Sequence, residues 1–576
     1  MNKHFNIIVL LIFSLFTIDH SQAQPFTHAD TLRGSNVEGR SWWDVQRYDL
    51  NVSFNINDST IKGQNTITFK ELRTDSVFQI DLQEPLIIDD AQLEIGTANA
   101  SSYEQANALN MSGTIQIKAK EITRQGNAYF LKFTIPPNLV KEYNVKEYKE
   151  YKKLIIDYHG KPTVAIKPPW DGGLVWTKDK LDRPWVSIAC QGLGASVWYP
   201  CKDYQGDEPD NGASLTITAP DTLMAVSNGR LSKTVDNKDG TKTYTWEVKS
   251  PINNYNLIPY IGKYVHFGEV YNGEKGKLDM DYWVLDYNLD KAKEHFKDAT
   301  RMMKAFEYWF GPYPFYEDGY KLVDAPYLGM EHQSAVAYGN GYRMGYYGQD
   351  LSGTGWGMKW DFMIVHESGH EWFGNNITTK DIADMWVHEG FTNYSEALFT
   401  EYYYGKEAGN DYVIGLRKNI ENKEPIITAY GVNKEPEIDM YYKAANMLHT
   451  IRQVINNDSL FRQILRGLNK TFYHQTVTTK QIEDYISQQS KINFSKVFDQ
   501  YLRTINIPTL EYKLDNKALS YRWTNCVSGF DLPLKINCNG EHWIKPAEQW
   551  QTLNMPPGEN KFSVDRNFYI NTKKVN

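Results

Sequence analysis

The chain has 576 residues, of which 41% are hydrophobic, 14% aromatic and 23% charged. This length corresponds to about three or four domains, and the hydrophobic fraction excludes a disordered protein. The 62 basic and 70 acidic residues give a net charge of −8. That charge argues against a nucleic-acid-binding protein or a binder of anionic membranes, because both normally carry a basic excess.

The first 23 residues have the pattern of a secretory signal peptide. Lys3 supplies a positive charge, residues 7–16 form an apolar run too short to span a bilayer, and residues 21–23 offer a small-x-small cleavage site. We therefore expect the mature chain to start near Gln24 in a periplasmic or extracellular compartment. The residue directly after the cleavage site is not a cysteine, and no other long apolar stretch occurs in the sequence, which predicts a protein without a membrane anchor.

Four cysteines follow, at positions 190, 201, 526 and 538. Export permits disulfides, and four cysteines allow three connectivities. Cys526 and Cys538 lie close together in a β-prone tail, so they are the expected pair, whereas Cys190 and Cys201 also suit buried thiols. The sequence contains no Cys-x-x-Cys pattern, which argues against a cysteine-based zinc or redox site.

Strand patterns run from about residue 40 to residue 260, within an N-terminal domain assigned to residues 24–260. Two alternating apolar runs within residues 48–69 flank Asn57-Asp58 and predict a β-hairpin. Asp239-Gly240 predicts a second tight hairpin turn. The block therefore predicts an antiparallel β-rich N-terminal domain, in which the Lys/Glu/Tyr run at 141–153 is interpreted as a solvated edge or loop.

A helical block follows at residues 261–505. Apolar residues recur at spacings of three and four from Ala292 to Phe310, which is typical of an amphipathic helix, and Gly311-Pro312 would end it. Beyond this block, short β-prone runs separated by turn residues predict a small β-sandwich-like module at 506–576. The expected fold class is a multidomain α+β protein.

The strongest chemical signal is the sequence His366-Glu367-Ser368-Gly369-His370. Residues four apart share one face of a helix, so both imidazoles can bind one zinc ion, and Glu367 can then act as a base on the attacking water. Apolar residues at Met363 and Ile364 support the helical interpretation.

A third ligand candidate, Glu389, follows the second histidine after a gap of 18 residues. The gap lets one helix end, a loop turn and a second helix present Glu389 to the metal. Two histidines and one glutamate leave a fourth position open, which is typical of a catalytic rather than a structural zinc site. His388 is expected to be structural. Glu396 is interpreted either as a hydrogen-bond partner of a ligand histidine or as an exposed helical residue.

These motifs and their spacing resemble the aminopeptidase N and leukotriene-epoxide hydrolase family of gluzincins. Residues 327–333, YLGMEHQ, are similar to the family's Gly-x-Met-Glu-Asn loop, whose glutamate grips the free α-amine of the substrate. The resemblance implies that Gly329, Met330 and Glu331 bind substrate, with Glu331 as the amine anchor.

Two further segments match the family in the same order along the chain. Residues 189–203 resemble the segment in which a Gln or Glu of the β domain reaches the same amine, which implies this role for Gln191. Residues 441–452 resemble the Tyr-Glu-Lys-Gly-Ala helix, whose tyrosine stabilises the tetrahedral intermediate, which implies Tyr441. The resemblance runs from about residue 42 to beyond Pro508.

The resemblance also implies the architecture: a saddle-like N-terminal β domain, a thermolysin-like catalytic domain with one zinc ion, and a small C-terminal β-sandwich. The large C-terminal helical domain that family members often carry is not expected. Some positions depart from the family pattern. His332 and His388 stand where asparagine is usual, and Tyr442 and Ala444 stand where glutamate and glycine are usual. These changes leave the chemistry intact and the substrate preference open.

The combined prediction is an exported, monomeric zinc aminopeptidase that releases single amino acids from peptides with a free N-terminus. Glu367 would be the general base. Two alternatives stay open. The same zinc site could serve an endopeptidase or a hydrolase of a non-peptide substrate, or the chain could be a catalytically silent binding protein. The intact His366, His370 and Glu389 argue against the silent protein.

Overall fold

The computed structural model describes residues 26–95, 115–134, 152–515, 518–538, 540–554 and 561–576. The predicted signal peptide and most of the charged run at 141–153 lie outside the described residues. Within the part of the chain that is described, no helix has the length and apolar character that crossing a membrane requires.

The N-terminal part begins with two short helices and continues as strands. The helices are α1 (His28–Gly34) and α2 (Glu38–Ser41). The strands are β1 (Trp43–Asn55), β2 (Thr60–Glu71), β3 (Val77–Asp81), β4 (Ile87–Ile95), β5 (Ile115–Lys118), β6 (Glu121–Gln125), β7 (Ala128–Lys132), β8 (Lys152–Gly160), β9 (Gly173–Lys178), β10 (Pro184–Ala189), β11 (Ala213–Pro220), β12 (Met224–Val226), β13 (Arg230–Asp236), β14 (Thr241–Val248) and β15 (Tyr260–Gly262).

These strands form three sheets, in the orders β13-β14-β11-β1-β2-β8-β4-β5, β12-β15-β10-β9 and β3-β7-β6. Both expected hairpins are confirmed: β1 pairs with β2, with Phe54 opposite Ile61, and β13 pairs with β14 around Asp239-Gly240. The expectation of an antiparallel domain fails at one pair, because β1 and β11 run parallel. β11 returns to the large sheet only after β9 and β10 have built a second one, so no hairpin turn dictates its direction.

The helical block contains a sheet that the sequence patterns did not indicate. Its strands lie in the order β16-β17-β18-β20-β19, which leaves β19 at an edge. Short strands such as β18, buried along their whole length, have no alternating pattern to reveal them. The ranges are β16 (Tyr264–Gly273), β17 (Gly276–Leu285), β18 (Tyr320–Asp324), β19 (Gly329–Met330) and β20 (Val336–Tyr338), followed by the small pair β21 (Ile377–Thr379) and β22 (Gln475–Val477).

Nine helices complete this block. They are α3 (Leu289–His295), α4 (Lys297–Phe310), α5 (Phe362–Gly369), α6 (Trp386–Tyr404), α7 (Lys406–Gly415), α8 (Asp439–Ile455), α9 (Asp458–Thr471), α10 (Thr479–Ser490) and α11 (Ser495–Arg503), counted over the described residues. The single helix expected up to Phe310 is divided at Phe296, but its apolar stripe stays buried on both sides of the break. Gly311, with φ 95°, ends it as predicted.

The C-terminal module consists of two small sheets, β27-β24-β23-β29 and β26-β25-β28. Its apolar side chains belong to the same core as those of the helical block. Across this boundary the Tyr569 amide donates to Thr450 Oγ1 at 3.0 Å, and Arg417 donates to the Arg566 carbonyl at 2.8 Å. The strands are β23 (Thr509–Leu514), β24 (Ala518–Thr524), β25 (Leu534–Cys538), β26 (Glu541–Ile544), β27 (Gln551–Asn554), β28 (Phe562–Val564) and β29 (Asn571–Lys574).

The expected disulfide between Cys526 and Cys538 is wrong, because Cys526 is a free thiol. Cys526 follows β24 of one sheet, whereas Cys538 ends β25 of the other and faces the core. Closeness in sequence therefore does not bring the two sulfurs together. Cys190 and Cys201 are buried thiols and do not form a disulfide.

The shared core predicts that the C-terminal module and the helical block unfold together. Trp523 is 1% exposed in this core, so Trp523→Ala should lower the free energy of unfolding by about 3–5 kcal/mol. Trp543→Ala, which removes a tryptophan that is 42% exposed, should cost about 1 kcal/mol or less. Urea denaturation followed by fluorescence and circular dichroism measures both. A separate early transition of the module in Trp523→Ala would contradict the shared core.

Candidate active site

The two histidines of the motif lie at the end of α5. Asp361 caps the first turn by accepting a hydrogen bond from the Ile364 amide, and the helix ends as His370 is reached. The chain then leaves the helical path at Phe373 and Gly374, where φ is 131°. The expected helix is confirmed, and His366 and His370 share one of its faces.

Glu389 reaches this face from the first turn of α6, where the helix dipole favours a carboxylate. Its Oε2 lies 3.3 Å from His370 Nε2 and 3.7 Å from His366 Nε2. The donor atoms of the three residues all lie within 4.8 Å of one another, and all three side chains are buried. Burial opposes the ionisation of Glu389, but the neighbouring histidines prevail and lower its pKa.

The hydrogen bonds around the histidines orient them as metal ligands. His366 Nδ1 lies 2.7 Å from Glu396 Oε1, and His370 Nδ1 lies 3.0 Å from the Phe373 carbonyl oxygen. Both partners only accept, so each Nδ1 carries the proton and each Nε2 directs a lone pair towards Glu389. Glu389 Oε2 is buried without a hydrogen-bond partner among the described residues. Two imidazole nitrogens and one carboxylate oxygen, arranged in this way, fit a zinc ion.

Glu396 is a hydrogen-bond partner of His366 and not an exposed helical residue. Besides its contact with His366, it accepts hydrogen bonds from Tyr412 at 2.6 Å and from Asn393 at 2.9 Å. This fully engaged carboxylate is buried in α6 and fixes the orientation of the first histidine.

Glu367 lies beside the edge strand β19. A Cβ atom placed on Gly329 would lie 2.9 Å from Glu367 Oε1 and 2.5 Å from Met363 Sδ, so a larger residue here would push both side chains aside. Burial raises the pKa of Glu367 to about 7. Such a carboxylate is able to exchange protons near neutral pH.

Glu331 adds a second buried carboxylate to the same cleft. Oxygen and nitrogen atoms of Glu331, Glu367 and His370 lie within 4.8 Å of one another. Tyr255 donates a hydrogen bond to Glu331 Oε1 at 2.8 Å, and Asn375 donates one to the Glu331 carbonyl at 2.8 Å. Tyr255 belongs to the N-terminal part and was missed by sequence reasoning, since no motif connects it with a residue 76 positions further along the chain.

The two residues implied by the remaining segments lie at the rim of this centre. The Tyr441 ring stands 6.2 Å from the His366 ring, centre to centre, in the first turn of α8. Gln191 follows β10 and shares a small polar cavity with Tyr255. No hydrogen bond joins Gln191 to Glu331 within the described ranges, but Tyr255, which donates to Glu331, lines the same cavity as Gln191.

The two histidines that replace asparagines have structural positions. His388 Nε2 accepts a hydrogen bond from the Thr379 amide at 2.9 Å, away from the zinc ligands, as expected. His332 Nδ1 lies 2.6 Å from the Tyr260 hydroxyl. Burial lowers the pKa of each histidine to about 3, so both are neutral.

A further carboxylate, Glu435, was also missed. It lies in the loop before α8. If Gly192, the neighbour of Gln191, carried a Cβ atom, that atom would lie 3.1 Å from Glu435 Oε2. An acidic residue in a polar loop carries no sequence signal that would distinguish it from a solvated one.

Comparison with known families agrees with this geometry. Residues 45–255 match the Peptidase M1 N-terminal domain, and residues 294–501 match the Peptidase family M1 domain. The two matches together cover more than half of the chain. The chain belongs to peptidase family M1, and the resemblance seen in its motifs is confirmed.

Curated relatives are distant in sequence. Mouse endoplasmic reticulum aminopeptidase 1 is 21% identical over 471 residues, which are 78% of this chain and 47% of the relative. Leukotriene A-4 hydrolase of Xenopus laevis is 22% identical over 414 residues, 67% of this chain and 62% of the relative. The chain therefore spans only about half to three fifths of these relatives.

Solved structures share the fold. The M1 zinc metallopeptidase of Deinococcus radiodurans, in a mutant form bound to a Tyr-Ser-Ala substrate, superposes with a TM-score of 0.62 at 19% identity. The match covers 82% of this chain and 97% of that one. The expected fold class, a β-rich N-terminal domain and a helical catalytic domain, is confirmed. Family membership implies zinc as the cofactor, and the buried donors described above fit it.

The contact between Glu396 and His366 predicts a role in metal affinity. Glu396→Ala should weaken zinc binding about 10–100-fold, because the histidine loses the partner that fixes its tautomer and orientation. Competition with a chelator of known affinity measures the dissociation constant. Tyr412→Phe, which removes only the outer hydrogen bond to Glu396, should have a smaller effect. Parent-like zinc affinity in Glu396→Ala would contradict this role.

Proposed function

We propose that the protein is a zinc aminopeptidase that releases single N-terminal amino acids from peptides. The observation that carries this proposal is a second buried carboxylate, Glu331, within 4.8 Å of both Glu367 and His370. A hydrolase that needs only a metal and a base has no use for this additional negative charge. A substrate ammonium group would neutralise it.

His366, His370 and Glu389 would hold the zinc ion. Zinc bound there would act as a Lewis acid that promotes ionisation of water and polarises the scissile carbonyl. Glu367 would accept the proton of the attacking water and later donate it to the departing amine. Its raised pKa suits a group that must take up and return a proton within one turnover.

Tyr441 would donate a hydrogen bond to the carbonyl oxygen as negative charge develops on it. Burial, together with the charge of Glu389, raises the pKa of Tyr441 above its ordinary value. The hydroxyl therefore stays protonated and able to donate. Donors of this kind typically contribute a few kcal/mol to the stabilisation of the transition state.

Glu331 would bind the substrate's α-ammonium group, with Gln191 and Tyr255 on the N-terminal side of the cleft. The edge strand β19, at Gly329 and Met330, would pair with the substrate backbone beside Glu367. Because the anchor is so close to the zinc ligands, one amino acid fits between the anchor and the bond that is cut. The tripeptide bound to the Deinococcus enzyme supports a peptide as substrate.

We also propose that the protein is exported and monomeric and that its domains divide near residues 260 and 505. The pattern of residues 1–23 supports export. The change from the sheets of the N-terminal part to β16 at Tyr264 supports the first boundary. The end of α11 at Arg503 supports the second one.

The role of Glu367 is tested by Glu367→Gln. We expect kcat for aminoacyl fluorogenic amides to fall about 10²–10⁴-fold while the zinc content stays unchanged, because only proton transfer is lost. Glu294→Gln, an exposed helical glutamate paired with Lys297, is the control and should behave like the parent. Activity close to that of the parent in zinc-loaded Glu367→Gln would overturn the assignment of the base.

The choice between an aminopeptidase and an endopeptidase is tested by acetylating a peptide substrate at its N-terminus. Acetylation removes the charge that Glu331 would bind, so hydrolysis measured by mass spectrometry should become undetectable. An endopeptidase would cleave the free and the acetylated peptide at similar rates, and this result would replace the proposed function by the alternative considered above.

A further inference from the structure

Glu435 is a carboxylate without a compensating partner. It is partly buried, and among the described residues none donates a hydrogen bond to it or forms an ion pair with it. The adjacent cation is engaged elsewhere, since Lys434 Nζ binds both carboxylate oxygens of Glu424 at 3.0 and 2.8 Å. Removing such a charge from water is costly unless a cation accompanies it.

Two contacts with α1 fix the place of this carboxylate in the cleft. Arg33 donates to the Gly192 carbonyl at 3.0 Å, and the Asn433 amide donates to the Asp30 carbonyl at 3.1 Å. Helix α1 thus ties the Gln191–Gly192 loop to the loop that carries Glu435. The 3.1 Å approach of Glu435 Oε2 to the Cβ position of Gly192 is a consequence of this arrangement.

The charged groups that act on Glu435 are all acidic. Burial raises its pKa to about 7, and the carboxylates of Glu389, Glu331 and Glu437 add to this effect. Glu435 in turn is one of the carboxylates that raise the pKa of Tyr441. Glu435 therefore lies beside the Gln191–Gly192 loop, close enough to the zinc site for the charges of Glu331 and Glu389 to act on it.

A substrate with one positive charge cannot compensate two anionic groups. The α-ammonium group of every peptide would pair with Glu331, and Glu435 would have no counter-charge unless the N-terminal residue brings a second cation. A lysine or arginine side chain supplies such a cation, and its methylene groups suit the partly apolar wall of a cleft.

We propose that Glu435 is a specificity-determining residue that gives this cleft a preference for peptides whose N-terminal residue is lysine or arginine. This inference rests on the proposed aminopeptidase function. It adds a preferred substrate class, peptides with a basic N-terminal residue. Glu435 is distinct from the proposed zinc ligands, the base and the amine anchor.

The test compares Glu435→Gln with the matched control Glu437→Gln, which neutralises an exposed glutamate of the same loop. Fluorogenic amides of arginine, lysine, methionine and leucine serve as substrates. In Glu435→Gln, kcat/KM for arginine and lysine should fall about tenfold, mainly through KM, while methionine and leucine change less than about twofold. Glu437→Gln should leave all four substrates unchanged.

Two results would overturn the proposal. An equal loss for all four substrates in Glu435→Gln would make Glu435 part of the amine anchor, as expected for Glu331→Gln. Unchanged selectivity in a folded, zinc-loaded variant would remove it from recognition altogether.

A binding measurement separates this inference from the proposed function. Calorimetric titration of the parent and of Glu435→Gln with arginine amide and norleucine amide requires no turnover. If the variant loses affinity for arginine amide alone, the role of Glu435 is supported, whether or not the parent hydrolyses any substrate. If the parent hydrolyses none of the substrates, the aminopeptidase function is rejected. Equal affinities of parent and variant for both amides would overturn the role of Glu435.

Discussion

Negative charge held out of water is the constraint on which the rest of the cleft depends. Glu389, Glu331 and Glu367 are almost completely buried and lie together. Carboxylates in such an environment repel one another and lose hydration, so the fold tolerates them only if cations are supplied. Among the described residues no lysine or arginine forms an ion pair with any of the three, and the oriented Nε2 atoms of His366 and His370 indicate that one of the missing cations is the metal.

Residues from two parts of the chain form the cleft. Helices α5 and α6 bring the proposed metal ligands, but Glu331, the proposed amine anchor, is held from the N-terminal part by Tyr255. A second connection runs from Asn256 to Asn375 at 2.8 Å, and from Asn375 to the Glu331 carbonyl at 2.8 Å. A shift between the two parts would therefore move Glu331 relative to His366, His370 and Glu389.

The sequence predicts best what depends on local spacing. Residues four apart on α5 must share a face, and alternating residues in β1 must share a side of the sheet. The histidine pair and the first hairpin can therefore be predicted from the sequence alone. Tyr255, Glu435 and the parallel pairing of β1 with β11 depend on contacts between distant segments, which have no local pattern. The Cys526–Cys538 prediction failed for the same reason, since residues close in sequence belong to different sheets.

Glycine backbone meets a carboxylate on two walls of the cleft. Gly329 lies against Glu367, and Gly192 lies against Glu435, so a Cβ atom at either position would require the carboxylate to shift. Main chain without side chains offers a substrate backbone a flat surface for hydrogen bonding, while the carboxylates beside it respond to charge. On the proposed function, such a cleft would distinguish substrates chiefly by where their positive charges lie.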